Sequence, residues 1–157
     1  MKTLITYFSA TGTTRSVAEF IADTLNADIF EIEPKITYTD ADLDWRNNNS
    51  RSSLEMHDLS YRPEIAKNCQ NIDDYDTVFV GFPIWWYIAP TIINTFLESC
   101  DLTGKTVVPF ATSGGSSFGK TVENLKNSCK GAKITEGKLL NGKLNKEDIL
   151  SWVNNIK

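Results

Sequence analysis

The chain has 157 residues, 41% of them hydrophobic and 23% charged, with a net charge of −4 and a pI of about 5.0. That length predicts one domain over residues 1–157 with a substantial core, and the composition is that of an ordinary globular protein. The acidic balance argues against a nucleic-acid or anionic-membrane binder, and no apolar run approaches a membrane span. Cys69, Cys100 and Cys129 are far apart and form no Cys-x-x-Cys pair or metal spacing, so reduced thiols and a cytoplasmic setting are expected. A strand pattern begins directly after Met1-Lys2-Thr3, which leaves no signal peptide to expect.

The first predicted strand is Leu4-Ile5-Thr6-Tyr7-Phe8. It runs into Ser9-Ala10-Thr11-Gly12-Thr13-Thr14, a hydroxyl-rich turn followed by a helical pattern in which Val17, Ile21 and Leu25 recur every four residues beside Ala18 and Ala22. A helix start leaves backbone N–H groups without intrahelical partners and carries partial positive charge, so such a turn suits a phosphate. It lacks the lysine of a Walker A loop and the glycine triplet of the dinucleotide fingerprint, which favours a phosphomonoester over a nucleoside triphosphate. The competing reading of the same residues is an ordinary N-cap turn. Arg15 is a candidate for neutralising the phosphate.

Residues 27–32 form a weaker strand candidate, and residues 33–72, rich in Asn, Ser, Asp and Arg, read as irregular. A connection of that length is either functional or contains structure of its own. Within it, Asn47-Asn48-Asn49-Ser50 reads as a loop tip, the lone His57 as a surface residue, and Arg51, Glu55 and Arg62 as candidates for substrate contact.

Thr77-Val78-Phe79-Val80-Gly81-Phe82 predicts a strand buried on both faces. Behind it come Pro83, Ile84 and three consecutive aromatic residues, Trp85, Trp86 and Tyr87. Neighbouring side chains point in different directions, so at least one of these rings should be free to stack on a flat ligand. Ile88, Ile92, Phe96 and Leu97 form the next apolar stripe, with Pro90 in its first turn. A strand over residues 105–111 leads into Thr112-Ser113-Gly114-Gly115-Ser116-Ser117, whose backbone could approach the polar edge of a ligand. Phe118, Val122, Leu125 and Cys129 give a third stripe. A strand candidate over residues 132–140, interrupted by Gly137, precedes a fourth stripe of Ile149, Leu150, Val153 and Ile156 with Asn145 as its cap.

Strands alternating with helices imply a parallel α/β sheet of five strands covered on both faces, whose ligands bind beyond the carboxyl ends of the strands. The three unusual loops all lie at those ends. A phosphate cup, stacking rings and a polar edge reader together fit flavin mononucleotide (FMN).

With these loops the chain resembles the flavodoxin family over nearly its whole length. Residues 9–14 match the family's Thr/Ser-x-Thr-Gly-x-Thr pattern, Phe82-Pro83-Ile84-Trp85-Trp86-Tyr87 is similar to its second, flavin-flanking loop, and Ala111-Thr112-Ser113-Gly114-Gly115 to its third. The resemblance implies a flavodoxin-like open sandwich with strand order 2-1-3-4-5, noncovalent FMN and electron transfer. It implies that Ser9, Ala10, Thr11, Gly12, Thr13 and Thr14 hold the phosphate. Trp85, Trp86 or Tyr87 would flank the ring, and Ser113, Gly114 and Gly115 would face its pyrimidine edge. Two departures bear on function: the third loop has neither the acid nor the aromatic usual in electron-carrying flavodoxins, and residues 33–72 exceed the smallest members. The expected role is a carrier between a reductase and acceptor enzymes docking at the flavin edge, as a monomer or weak dimer. The alternative is an FMN-dependent NAD(P)H:quinone-type oxidoreductase. A response-regulator receiver domain, which shares the strand order, is disfavoured because Ser9, Ala10 and Phe82-Pro83 stand where its acidic residues belong.

Overall fold

A computed structural model describes residues 2–113 and 119–156 of the chain. In chain order its principal elements are β1 (Thr3–Tyr7), α1 (Thr13–Leu25), β2 (Asp28–Glu31), α2 (Arg51–His57), β3 (Thr77–Pro83) and α3 (Thr91–Glu98). They continue with β4 (Thr106–Thr112), α4 (Thr121–Lys126), β5 (Lys133–Ile134), β6 (Lys138–Leu139) and α5 (Lys146–Asn154). All strand pairs are parallel, in the order β2-β1-β3-β4-β5, with β6 also paired to β4. The expected order 2-1-3-4-5 is therefore the observed one.

Alternation along the central strands sends side chains to two cores. Ile5, Tyr7, Phe79, Val108 and Phe110 pack on Val17, Ala18, Ile21 and Ala22 of α1 and Ile149 of α5. Leu4, Val78, Val80, Phe82 and Val107 pack on Ile92, Ile93, Phe96 and Leu97 of α3 and Leu125 of α4. The sheet is thus apolar on both faces, which is why β3 reads as a continuous hydrophobic run. Gly81 leaves space that Phe110 occupies, since a Cβ there would lie 2.2 Å from the ring.

The strand expected over residues 132–140 is broken into β5 and β6. Two residues account for the break. The carbonyls of Val107 and Ala111 accept from Thr135 and Leu140 N–H, so Pro109, midway between them, turns its donorless nitrogen toward the same edge. Opposite it, Gly137 has a left-handed φ of 78°.

Other differences have local causes. Ile88 belongs to no helix, because its N–H and C=O pair with Trp85 and Pro90 caps α3. Cys129 and Ile156 lie beyond α4 and α5, Leu150 faces outward, and Phe118 lies outside the described residues. Asn145 caps α5 as expected, accepting from the Glu147 and Asp148 N–H groups.

Residues 33–72 are a closed excursion with structure of its own. An antiparallel bridge between Pro34 and Ile65 joins its ends, with Lys35 N–H donating to Glu64 C=O and Ala66 N–H to Glu33 C=O. Ser50 is no loop tip: it is buried and caps α2, its Oγ accepting from the Ser53 N–H. Arg62 pairs through both guanidinium arms with Glu98 of α3 at 2.9 and 3.0 Å, tying the excursion to the sheet's covering layer.

Candidate functional site

Helix α1 is preceded by Gly12 at its N-cap, whose φ of 95° has open space around it and which provides no side-chain cap. The first turn of α1 carries no acidic residue either. Thr11, Gly12 and Thr13 are exposed, while Ser9 Oγ accepts from the Gly12 N–H at 3.0 Å and so holds the turn's shape. An uncapped helix start lined with exposed hydroxyls is a donor set suited to a phosphate. The turn stands between a cleft of about 350 Å³ that includes Ser9, Ala10, Thr37 and Tyr38 and a groove of about 590 Å³ that includes Thr13, Ser113 and Asn141.

Thr14 differs from its neighbours. Its hydroxyl is buried and lies 2.8 Å from that of Thr112, linking the first turn to the end of β4. Arg15, considered for phosphate neutralisation, is ion-paired with Glu31 at 2.9 Å and lies over the Tyr7 ring. Tyr7 is itself held above the ordinary tyrosine pKa, chiefly by burial and then by Glu31.

The aromatic turn is a two-residue hairpin. Trp85 N–H donates to Ile88 C=O at 2.9 Å and Ile88 N–H to Trp85 C=O at 3.2 Å. The two central residues, Trp86 and Tyr87, have φ of 51° and 68°, as in a type I′ turn normally filled by Asn-Gly. Left-handed backbone costs a non-glycine residue roughly 1–2 kcal/mol, so the surroundings must impose this shape. Gly119 lies close against the turn: a Cβ on it would be 2.3 Å from the Tyr87 carbonyl oxygen.

The three rings therefore have different environments. Trp86 and Tyr87 are exposed, and Trp86 touches the His57 ring edge-on at 6.2 Å. Trp85 is half-buried and meets Phe8 and Tyr38 edge-on at 5.7 and 5.5 Å. Pro83 ends β3, and the Ile84 N–H donates to the Thr112 carbonyl, joining the second and third loops. Ser113 N–H donates to Asn141 Oδ1 at 2.8 Å. Gly114 and Gly115 lie outside the described residues.

Behind Trp85, the Tyr38 hydroxyl donates to Glu55 Oε1 at 2.5 Å and Arg51 Nε donates to Glu55 Oε2 at 3.0 Å. The Arg51 guanidinium lies 3.8 Å from the Tyr38 ring centre and donates to the Ile36 carbonyl. Tyr38 is held well above the ordinary tyrosine pKa, first by burial and then by its bond to Glu55. Arg51, Glu55 and Arg62, considered as substrate contacts, are all engaged with protein partners. Sequence reasoning missed Tyr38, Phe8, Asn141 and Gly119 as parts of this edge; the Ser50 cap and the Arg51–Glu55 spacing of four were the available signals for α2.

A parallel α/β sheet with an anion-suited helix start after β1 and exposed aromatic rings after β3 defines a binding protein for a flat, phosphorylated ligand. The sequence profile of the flavodoxin family matches residues 2–156, and the chain belongs to that family. It is similar to a putative flavoprotein from Bacteroides eggerthii, at 50% identity over 98% of this chain and 96% of that one, with a TM-score of 0.93. A putative flavoprotein from Bacteroides uniformis is 47% identical over 98% of each chain, with a TM-score of 0.91. A flavoprotein from Lactobacillus acidophilus, solved in complex with FMN, shares the fold at 24% identity and a TM-score of 0.67, over 88% of this chain and 91% of that one. The uncharacterized NAD(P)H oxidoreductase YcaK of Escherichia coli is 30% identical over 89 residues, 53% of this chain and 44% of that protein, so the match spans less than half the length of this curated relative. Among the described residues, no helix is long and apolar enough to cross a membrane.

Proposed function

We propose that the chain binds FMN at this sheet edge and carries electrons between a reductase and acceptor enzymes in the cytoplasm, as a monomer or weak dimer. The observation that carries this reading is the meeting of an uncapped, hydroxyl-lined helix start with an exposed two-ring turn at the ends of adjacent strands. When bound, FMN supplies one- and two-electron chemistry. The backbone N–H groups around Thr11, Gly12 and Thr13 and the exposed threonine hydroxyls hold the phosphate, with Ala10 alongside. Ser9 and Thr14 shape the turn through Gly12 and Thr112. Trp86 and Tyr87 offer ring faces and exclude water from one side, while Trp85 backs them. Pro83 and Ile84 fix where that turn leaves the sheet, and Thr112 and Ser113 border the opposite side. The reductase alternative draws support from the likeness to YcaK.

Fluorescence titration with FMN and riboflavin tests the site. The double substitution Thr11→Ala/Thr13→Ala should weaken FMN about tenfold and riboflavin hardly at all, because only FMN loses charge-assisted hydrogen bonds. A protein that quenches neither flavin refutes the reading. Turnover separates the roles: NAD(P)H oxidation with a quinone by the isolated protein indicates the reductase, whereas activity only with a separate reductase indicates the carrier.

A further inference from the structure

The Glu55 carboxylate, 3% exposed, is the feature that the FMN reading leaves unused. It lies on α2, in the excursion rather than in any of the three loops, and its two oxygens accept from Tyr38 Oη and Arg51 Nε. Arg51 adds a stacked contact with the Tyr38 ring and a bond to the Ile36 carbonyl. Tyr38 is thereby gripped at its hydroxyl and on one ring face. Its ring lies 5.5 Å from Trp85 and 5.6 Å from Phe8, which are themselves 5.7 Å apart and nearly perpendicular. Phe8 immediately precedes the phosphate turn, and Trp85 opens the aromatic turn.

A buried ion pair is a weak source of stability, since desolvation offsets most of the attraction. What it supplies well is direction, because each hydrogen bond fixes an angle as well as a distance. Trp86 and Tyr87 need such support, as their left-handed backbone is not one their side chains favour.

We propose that Arg51, Glu55 and Tyr38 form a positioning assembly for the aromatic turn, holding Trp85 edge-on and so setting where Trp86 and Tyr87 meet the flavin ring. The proposal rests on the FMN reading above and assigns residues 33–72 a task within it. Tyr38 is a positioning residue that acts through Trp85. The assembly acts mainly on the ring end of the cofactor, through Trp85.

The test compares wild type, Tyr38→Phe and Arg51→Lys by the Kd for FMN, the Kd for riboflavin and the near-ultraviolet circular dichroism of the flavin-free chain. Tyr38→Phe keeps the ring and removes its grip on Glu55. Both Kd values should rise about tenfold, or about 1.4 kcal/mol, with their ratio unchanged, and the tryptophan bands of the dichroism should lose amplitude. Arg51→Lys keeps a cation for Glu55 but removes the stacked guanidinium; both Kd values should rise about threefold, which reads the same coupling if Tyr38→Phe does not fold. Folded variants whose Kd values stay within twofold of wild type overturn the proposal, whatever their melting temperatures. A rise confined to FMN also overturns it, since that places the effect at the phosphate. If wild type binds neither flavin, the FMN reading fails separately. The dichroism then decides: loss of amplitude in the tryptophan bands, which the exchange of Tyr38 does not itself remove, supports the positioning role, and unchanged tryptophan bands remove it.

Discussion

The turn after β1 and the turn after β3 stand at the ends of neighbouring strands, yet they are built in opposite ways. Gly12 adopts its left-handed φ with nothing within 4 Å of where a Cβ would sit, and Ser9 stabilises the turn from three residues away. At the second turn two aromatic residues take the left-handed positions, with Gly119 against Tyr87 and a ring cluster behind Trp85 that reaches back to Tyr38. A phosphate needs backbone donors, which any well-formed helix start supplies locally. A ring site needs side chains at fixed angles, and those angles come from distant packing.

If that contrast is right, the largest effect should come from the excursion, although it contains none of the expected cofactor contacts. Arg51→Met leaves the buried Glu55 with Tyr38 as its remaining side-chain donor among the described residues, and removing one partner of a buried pair typically costs 3–5 kcal/mol. Because Arg51 is partly solvated, about 3 kcal/mol is expected from urea denaturation. A change below about 0.5 kcal/mol would show that the pair is not holding the excursion.

Two glycine substitutions probe the contrast directly. Gly119→Ala combines a φ of +59° with a Cβ driven onto the Tyr87 carbonyl, so about 2 kcal/mol of stability should be lost together with riboflavin affinity. Gly12→Ala meets only the backbone penalty, about 1 kcal/mol. Equal losses at the two positions would erase the distinction between a self-contained turn and an imposed one.

The smallest expected effect is the acid response of the Arg62–Glu98 tie. Hydrogen bonds from Arg62 first, and then Ser128, hold the Glu98 carboxyl below its ordinary value, although burial opposes them. A carboxylate depressed in the folded state contributes stability above its unfolded pKa, here about 4.5, and loses it as pH falls through the lower folded value. Melting temperatures of wild type and Glu98→Gln should therefore differ at pH 6 and converge as pH falls below about 4.5. The pair is substantially solvated, so the difference should stay under about 1 kcal/mol.

The same contrast explains which features are legible in the sequence. Strand order, both-face burial of β3 and the hydroxyl turn were legible because each is written in consecutive residues with a period or a local motif. Ile88 was misplaced on a helical stripe because a spacing of four does not distinguish a helix from a hairpin that ends just before one. The environment of Trp85 was not legible at all. Its partners Phe8 and Tyr38 come from other parts of the chain, and Tyr38 is gripped by a residue 17 positions away in a segment without periodicity. Arg15 misled for a related reason, since only pairing of β1 with β2 brings Glu31 within its reach.

The interruption between β5 and β6 bears on how this sheet meets other molecules. An outermost strand normally offers a ladder of unsatisfied N–H and C=O groups on which a foreign strand can assemble. On the β5–β6 side that margin is two pieces of two residues each, separated opposite Pro109 and bent at Gly137, so among the described residues no long straight template faces outward there. One proline inside β4 thus protects a border it does not itself occupy, guarding this side of the sheet against edge-to-edge pairing.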